Sequence, residues 1–368
     1  MQMDTRRASL VVKDMPKIVN LSEKNTKRME TVGYDKGFLV ENGNVLCNLA
    51  RNKGLELLSI KDALTKYRNL KDYYWQLVDK NKDEKTRQVA ADTHQGYFIR
   101  AEKGSKIEQP VQTCLYITKS GFQQNIHNVI IAEENSEINI LTGCLTSAEV
   151  KMAVHIGVTE IFVKKGARVN FTMIHNWEKE VEVYPRTAII VEDGGEFVSN
   201  YVCLNPVKYI QMYPKCTLIG DKSVAAFNSF IYATPKSSFD VGAMVDLQGK
   251  ESRAEIKSKI VCNEGEVITR GKLIGNEKGI RAHMDCGGLI VSARGKIVAI
   301  PELEANLADL NMTHEASIGK VSKEAIEYLE SRGMSEKQAV SLIIRGFMNI
   351  DGVKLPEIVK KELQKFNF

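Results

Sequence analysis

A chain of 368 residues, 43% of them apolar, can build a substantial core as one large domain or two ordinary ones. Lys and Arg number 51 against 46 Asp and Glu, and a net charge of +5 is too small to mark a nucleic-acid surface. Seven cysteines, scattered singly with no CxxC pair, exclude a disulfide framework and a zinc ribbon.

The opening stretch MQMDTRRASL lacks the apolar core of a signal peptide, and no apolar run approaches the roughly 18 residues of a membrane-spanning helix. A cytoplasmic protein is expected, with neither membrane nor nucleic acid as partner. Residues 1–96 read as an N-terminal helical region. Ile60, Leu64, Tyr67, Leu70, Tyr74 and Leu77 recur every three or four residues among charged ones, the pattern of an amphipathic helix.

From Tyr97 the text changes to short β-branched or alternating runs, at 129–132, 138–141, 161–163, 188–191 and 297–300. Turn pairs bound them at Lys165-Gly166, Gly194-Gly195, Gly220-Asp221, Gly249-Lys250, Glu264-Gly265 and Arg294-Gly295. Their spacing is too loose for a strict repeat and has only a coil-sized beat. Residues 97–310 thus hold strands and turns without helices, which excludes a doubly wound α/β sheet and leaves a sandwich, a propeller or a β-solenoid.

Residues 311–368 read as a C-terminal helical region. Ser322 can cap one helix, Gly333 suits its left-handed terminus, and Ser335 with Gln338 forms a capping box for the next. Val340, Ile343, Ile344 and Phe347 give that second helix an apolar stripe, of the kind that usually packs on its own domain. Pro356 can open a third.

The chain has no GxGxxG opening a helix, no GxxxxGK[ST], no HExxH and no GxSxG, so nucleotide hydrolysis, zinc proteolysis and α/β-hydrolase chemistry lack their local geometry. What remains is His283 and Cys286 in RAHMDCGG, and His314 and Glu315 in NMTHEAS. Singly, such residues are usually structural. Together they carry more weight, because the step from Cys286 to Glu315 is close to the usual spacing of the turn pairs. If one solenoid coil has about that length, Cys286 and the His314-Glu315 pair come together on one face. Thiolate, imidazole and carboxylate there would suit iron or zinc.

Five segments, in order, carry a resemblance: YFIRAEKGSKIEQP at 97–110, GCLTS at 143–147, VTEIFVKKGARVNFTMIHNW at 158–177, RAHMDC, and THEASIGKVSKEAIEYLESRGMSEKQAVSLIIRGF. Over roughly residues 70–368 the chain resembles the SufB/SufD family, the scaffold of the SUF iron–sulfur cluster assembly machinery. The resemblance implies a mainly β fold, a right-handed parallel β-helix flanked by N- and C-terminal α-helical regions. It implies a non-catalytic scaffold on which a transient iron–sulfur cluster is built. ATP hydrolysis would lie on a separate SufC-type ABC ATPase docked near Ser322 to Phe347. Two β-helix subunits would pair with the cluster site at their interface, and sulfur donors and apo-protein acceptors would be further partners. Flavin binding, known within the family, has no signature here.

Carried over residue by residue, Cys286 matches the cluster-holding cysteine of B-type scaffolds and Glu315 their acidic ligand. His314 matches a histidine that also occurs in D-type subunits. Cys144 matches the cysteine that accepts sulfur, which then travels through the β-helix interior. His175 stands where many relatives have Gln, and Arg186 falls near a basic position of the same path. One thiolate with imidazole and carboxylate should hold a cluster more weakly than four thiolates, as a scaffold needs. Sulfur transfer also needs a nucleophilic thiolate, hence a partly exposed Cys with a lowered pKa, and the pKa of Cys144 itself is not written in the sequence.

The chain departs from the B-type pattern in its short length, its lack of an early cysteine cluster and Gly287-Gly288 where relatives usually carry Asp-Ser. Retention of Cys144, Cys286 and Glu315 favours a B-type scaffold that pairs with itself as a homodimer. The alternatives are a D-type structural partner without its own cluster and a β-helix carbohydrate-active enzyme, whose clustered carboxylates the sequence does not offer.

Overall fold

The β-branched runs form strands that pair in parallel one coil away and hardly at all with their sequence neighbours. The computed structural model describes residues 36–50, 53–92, 95–348 and 360. The expected third C-terminal helix at Pro356 and residues 1–35 of the N-terminal region lie outside the described residues.

One ten-stranded sheet, the first sheet, runs in spatial order Asn44–Ala50, Lys36–Glu41, Lys106–Ile117, Glu137–Thr146, Arg168–Asn176, Glu196–Cys203, Val224–Ala233, Arg253–Cys262, Arg281–Ile290, Asn311–Lys320. The second runs Lys296–Ala305, Glu266–Gly275, Ser238–Leu247, Tyr209–Met212, Val181–Val191, Ala153–Val163, Phe122–Ala132, Tyr97–Ala101, Leu55–Ser59, with Lys215–Leu218 beside Val181–Val191 and Ser238–Leu247. All pairs are parallel except the two N-terminal ones, Lys36–Glu41 with Asn44–Ala50 and Leu55–Ser59 with Tyr97–Ala101.

The chain therefore winds as a parallel β-solenoid of about eight turns, flanked by short helices. Arg168 pairs with Glu196 and Glu196 with Val224, whereas Lys106 pairs with Glu137, so the first coils are slightly longer than the middle ones. Alternate residues point inward, and Ile138, Ile140, Val169, Phe171, Phe197 and Phe227 stack into one continuous core. The corner turns stack as well. A Cβ on Gly249 would lie 1.8 Å from the carbonyl oxygen of Gly220, so only glycine lets these backbones meet.

The N-terminal segment differs from the sequence expectation. Strands Lys36–Glu41, Asn44–Ala50 and Leu55–Ser59 extend the sheets into the stretch read as helical, and the helix expected through Leu77 ends early. Helix α1 (Ile60–Lys66) is capped by Ser59, and Tyr67 is already extended. A 3-10 turn at Arg68–Asp72 follows. The apolar period reflects packing of rings on a sheet: Tyr67 meets Phe98, Tyr73 meets Phe162 edge-on at 4.8 Å, and Tyr74 stacks on His127 at 4.1 Å. Helix α2 (Glu84–Ala91) begins with a capping box of Asp83 and Thr86.

At the other end, Asn311–Lys320 is a solenoid strand, so the coils run past the boundary expected at 310. Helices α3 (Lys323–Ser331) and α4 (Glu336–Phe347) follow with the expected signals, including Ser322 as cap, Gly333 at φ +89° and the Ser335–Gln338 box. Val340, Ile344 and Phe347 pack on the outer face of the first sheet with Phe230, Val261 and Leu289. No helix among the described residues is long and apolar enough to cross a membrane.

Candidate functional site

Cys144 and His175 occupy facing positions on adjacent strands, and His175 in turn faces Cys203. All three point into the core. The imidazole Nδ1 of His175 lies 3.0 Å from the Tyr201 hydroxyl, with the two rings perpendicular. Across the interior, Gln124 and His155 face each other on the second sheet, where the Gln124 carbonyl accepts from His155 Nδ1 at 2.9 Å. Trp177 bridges the two sides, its ring 5.2 Å from His155 and 5.3 Å from His175.

This environment is dry. Cys144 has no exposed surface, and burial together with the neighbouring Cys114 pushes its thiol well above the ordinary range. The expected exposed thiolate of lowered pKa is therefore not what the fold provides. Burial likewise lowers His155 to about 4 and drives His175 well below its ordinary value, so both imidazoles are neutral at physiological pH.

Arg186 does not belong to this interior. It alternates outward on Val181–Val191, where its guanidinium pairs with Asp83 at 2.7 Å and donates to the Gln211 backbone and side-chain oxygens at 3.1 and 2.7 Å. Its role is to clamp the start of α2 onto the second sheet. Of the two path residues expected from sequence, only His175 lies inside.

Cys286 also points inward, 3% exposed, at the penultimate coil of the first sheet. Burial raises its thiol, partly offset by the Ser258 hydroxyl and the Lys259 ammonium. In the last coil Arg281 pairs with Asn311, so Cys286 faces Ala316 and Glu315 faces Asp285. The step from Cys286 to Glu315 thus falls one position short of a full coil, which turns Glu315 to the opposite face of the sheet. There it neighbours Asp285, itself paired with Lys259 at 3.1 Å. His314, facing Met284, shares the inward side with Cys286. The expectation of all three on one face holds for Cys286 and His314 and fails for Glu315. Among the described residues, no cluster of three or more His, Cys, Asp or Glu side chains is arranged to hold a metal ion.

Between the two cysteines runs a feature the motif reading missed. Tyr201, Ser229, Ser258 and Cys286 face one another in turn on four successive strands, an inward polar column through an otherwise apolar core. At about 4.8 Å per coil it spans about 14 Å. Ser258 Oγ also lies 3.5 Å from Thr269 Oγ1 across the interior. Beside the upper half is a cavity with about 30 Å³ of room, lined by Tyr201, Ser199, Met212, Phe227, Ser229 and Gly242, enough for a water-sized species. The legible signal was the near-equal steps from Tyr201 to Ser229, Ser258 and Cys286, polar positions that share inward parity.

Residues 115–347 match the family model of the SUF system FeS cluster assembly SufBD core domain. The chain belongs to the SufBD family. Among curated relatives it is similar to an iron–sulfur cluster assembly SufBD family protein of Archaeoglobus fulgidus, 47% identical over 313 residues, covering 85% of this chain and 84% of the relative. A Methanothermobacter thermautotrophicus protein of the same description is 40% identical, with 87% and 79% covered, and one from Pyrococcus horikoshii 30% identical, with 80% and 67% covered.

The SufBD core match begins and ends within the described coils and helices, and takes in both cysteines, the polar column and α3–α4. Family membership ties this chain to iron–sulfur cluster assembly. Cys114, Cys144, Cys203, Cys216, Cys262 and Cys286 are free thiols, all buried. Of these, Cys144 and Cys286 adjoin the polar column, whereas Cys114 points away from the interior.

Proposed function

We propose that this chain is a B-type scaffold subunit on which a transferable iron–sulfur cluster is assembled, with Cys144 accepting sulfur and Cys286 holding the cluster at the end of the solenoid. The observation that carries this reading is the polar column of Tyr201, Ser229 and Ser258 leading from the His175–Cys144 neighbourhood to Cys286. Neutral hydroxyls one coil apart offer hydrogen bonds to a small sulfur species along a mainly apolar core.

The terminal coil supports pairing with a second copy. Among the described residues, Lys296–Ala305 and Asn311–Lys320 end the two sheets with unpaired edges, and Val298, Leu303, Leu307 and Ile318 are exposed there. His314 and Glu315 are exposed on the same coil. Within one chain Cys286 and Glu315 face opposite sides of the sheet, so in a homodimer the carboxylate that meets the cluster comes from the second copy or from a terminal strand that changes register. A SufC-type ATPase would dock on the parts of α3 and α4 that the solenoid leaves uncovered, where Tyr328 and Leu342 are exposed. ATP hydrolysis belongs to that partner; the chain itself is a non-catalytic, cytoplasmic component.

Anaerobic reconstitution with iron and sulfide, followed by absorption and Mössbauer spectroscopy, tests the reading. Wild type with its ATPase partner should gain a cluster, and Cys286→Ala and Glu315→Ala should lower its occupancy or lifetime by about tenfold or more. Clusters equal to wild type in both variants would sink the ligand assignment. Wild type as empty as the variants would favour the D-type structural partner. Light scattering of the complex should give two copies of this chain, and a single copy beside a different β-helix subunit would refute the homodimer.

A further inference from the structure

The outer face of the first sheet carries an array of charges over its last three coils. Glu255, Lys257 and Lys259 face His283, Asp285 and Gly287, which in turn face Thr313, Glu315 and Ser317. Lys257 is tied to Glu255 at 2.7 Å, and His283 Nδ1 lies 2.8 Å from the Thr313 hydroxyl. Asp285 is therefore met not by Lys257, the residue directly opposite, but by Lys259, whose ammonium leans across from the next outward position to 3.1 Å. Glu315 is in no ion pair among the described residues, and the side chain it faces is Asp285.

The seat of Lys259 is built around a missing side chain. A Cβ on Gly287 would lie 3.1 Å from Lys259 Nζ, 3.2 Å from its Cδ and 3.3 Å from a ring carbon of Phe347, so the bare backbone there admits both the lysine stem and the last ring of α4. The ammonium stands 5.4 Å from the centre of the Phe347 ring, within cation–π range. The Lys259 and Asp285 side chains are 19 and 25% exposed, so solvent screens this pair less than it would a pair on an open surface.

Two carboxylates that face each other on neighbouring strands repel. In the middle of the solenoid a stacked apolar interior would fix the register regardless. Asn311–Lys320, however, is exposed along almost its whole length and ends its sheet among the described residues, so burial specifies its register only weakly. We propose that Lys259 is a positioning residue for Glu315: its ammonium, seated between Gly287 and Phe347, cancels the charge of Asp285 and so holds the terminal strand in the register that sets Glu315 outward beside the strand of Cys286. The proposal rests on the reading of Cys286 and Glu315 as cluster ligands and adds the residue that keeps the second of them in place.

The test uses the full-length chain with its ATPase partner and reads two quantities, hydrogen exchange of peptides from 311–320 and cluster occupancy after anaerobic reconstitution with iron and sulfide. Lys259→Met, which keeps most of the stem and removes the charge, should speed exchange of 311–320 about fivefold, the upper end for facing like charges in a sheet, and lower the occupancy with it. Lys259→Arg should keep both near wild type. Adding Asp285→Asn to Lys259→Met should restore both, because the charge that faced Glu315 is gone. Lys164→Met breaks a pair of the same build far from the terminal coil, 2.9 Å from Glu192 and 5.4 Å from the Tyr73 ring, and should leave 311–320 as in wild type. Thermal melts identify any variant that misfolds. Wild-type exchange in a folded Lys259→Met chain would overturn the proposal, and so would a loss that Asp285→Asn fails to restore, which would mark packing of the stem rather than its charge. Exchange in the expected order with occupancy unchanged throughout would keep Lys259 as the pin of the terminal strand and remove Glu315 from the ligands.

Discussion

Glu160→Gln should destabilise the protein by about 2–4 kcal/mol and release residues 73–92 to fast hydrogen exchange, while the coils from Val224 onward keep their protection. Glu160 points outward from Ala153–Val163 yet has no exposed surface, because the N-terminal segment lies over it. Its carboxylate accepts from the backbone N–H groups of Trp75 at 2.6 Å, Leu77 at 2.5 Å and Val78 at 3.1 Å, and lies 2.7 Å from His127 Nε2. One side chain therefore satisfies three amides of a segment that makes no sheet or helix bonds there. It also fixes Trp75 at φ +61°, a conformation a bulky residue adopts only when its surroundings demand it. Glutamine fits the space, but its amide nitrogen must face N–H groups that need an acceptor. Removing a buried, fully hydrogen-bonded carboxylate belongs to the costly class of changes. Thermal melting together with exchange of peptides from 73–92 decides the matter. A melting point and exchange pattern equal to wild type would mean the segment is held by its ring contacts alone.

That anchor was visible in the sequence as a charge inside an otherwise apolar run, GVTEIFV, at a parity shared with Val158 and Phe162. A carboxylate so placed needs partners, but the run does not say that they lie far upstream, at 75–78. The same limit governed the fold. Strand periods and turn glycines were legible locally, whereas parallel pairing joins positions a whole coil apart in sequence, so sandwich, propeller and solenoid fitted equally until five family segments selected one. Coil length decided the candidate site. In a last coil shorter by a single position Glu315 would have faced Cys286; in the observed coil it faces Asp285, and period-two alternation turned a small error in length into the wrong face. The helix read through Leu77 failed because leucines and tyrosines spaced three and four apart suit a sheet surface as well as a helix stripe. Capping signals succeeded at Ser322, Gly333 and Ser335 because they act within one turn.

Mild acid should destabilise the protein well before its carboxylates protonate. In the unfolded chain His155 and His175 bind protons near pH 6.5, whereas burial holds His155 at about 4 and, with the charge His155 would carry, His175 lower than its ordinary value. Their folded pKa values are depressed, so below pH 6.5 the unfolded state binds protons that the native state refuses. The stability they confer is complete above about pH 7 and is lost as pH falls toward 4. His155 alone accounts for about 3 kcal/mol over that window, and His175 acts in the same direction. The groups facing them, Gln124, Cys144, Trp177 and Tyr201, carry no charge in this range that could stabilise an imidazolium. Carboxylates held low by ion pairs, such as Glu182 beside Lys208 and Tyr184, contribute only at lower pH. Unfolding free energies from urea titrations at pH 7.5 and 5.0 should therefore differ by about 2 kcal/mol from His155, with His175 adding in the same direction, and His155→Gln should remove its share of the difference. An unchanged pH dependence in that variant would show that the interior around His155 admits the proton.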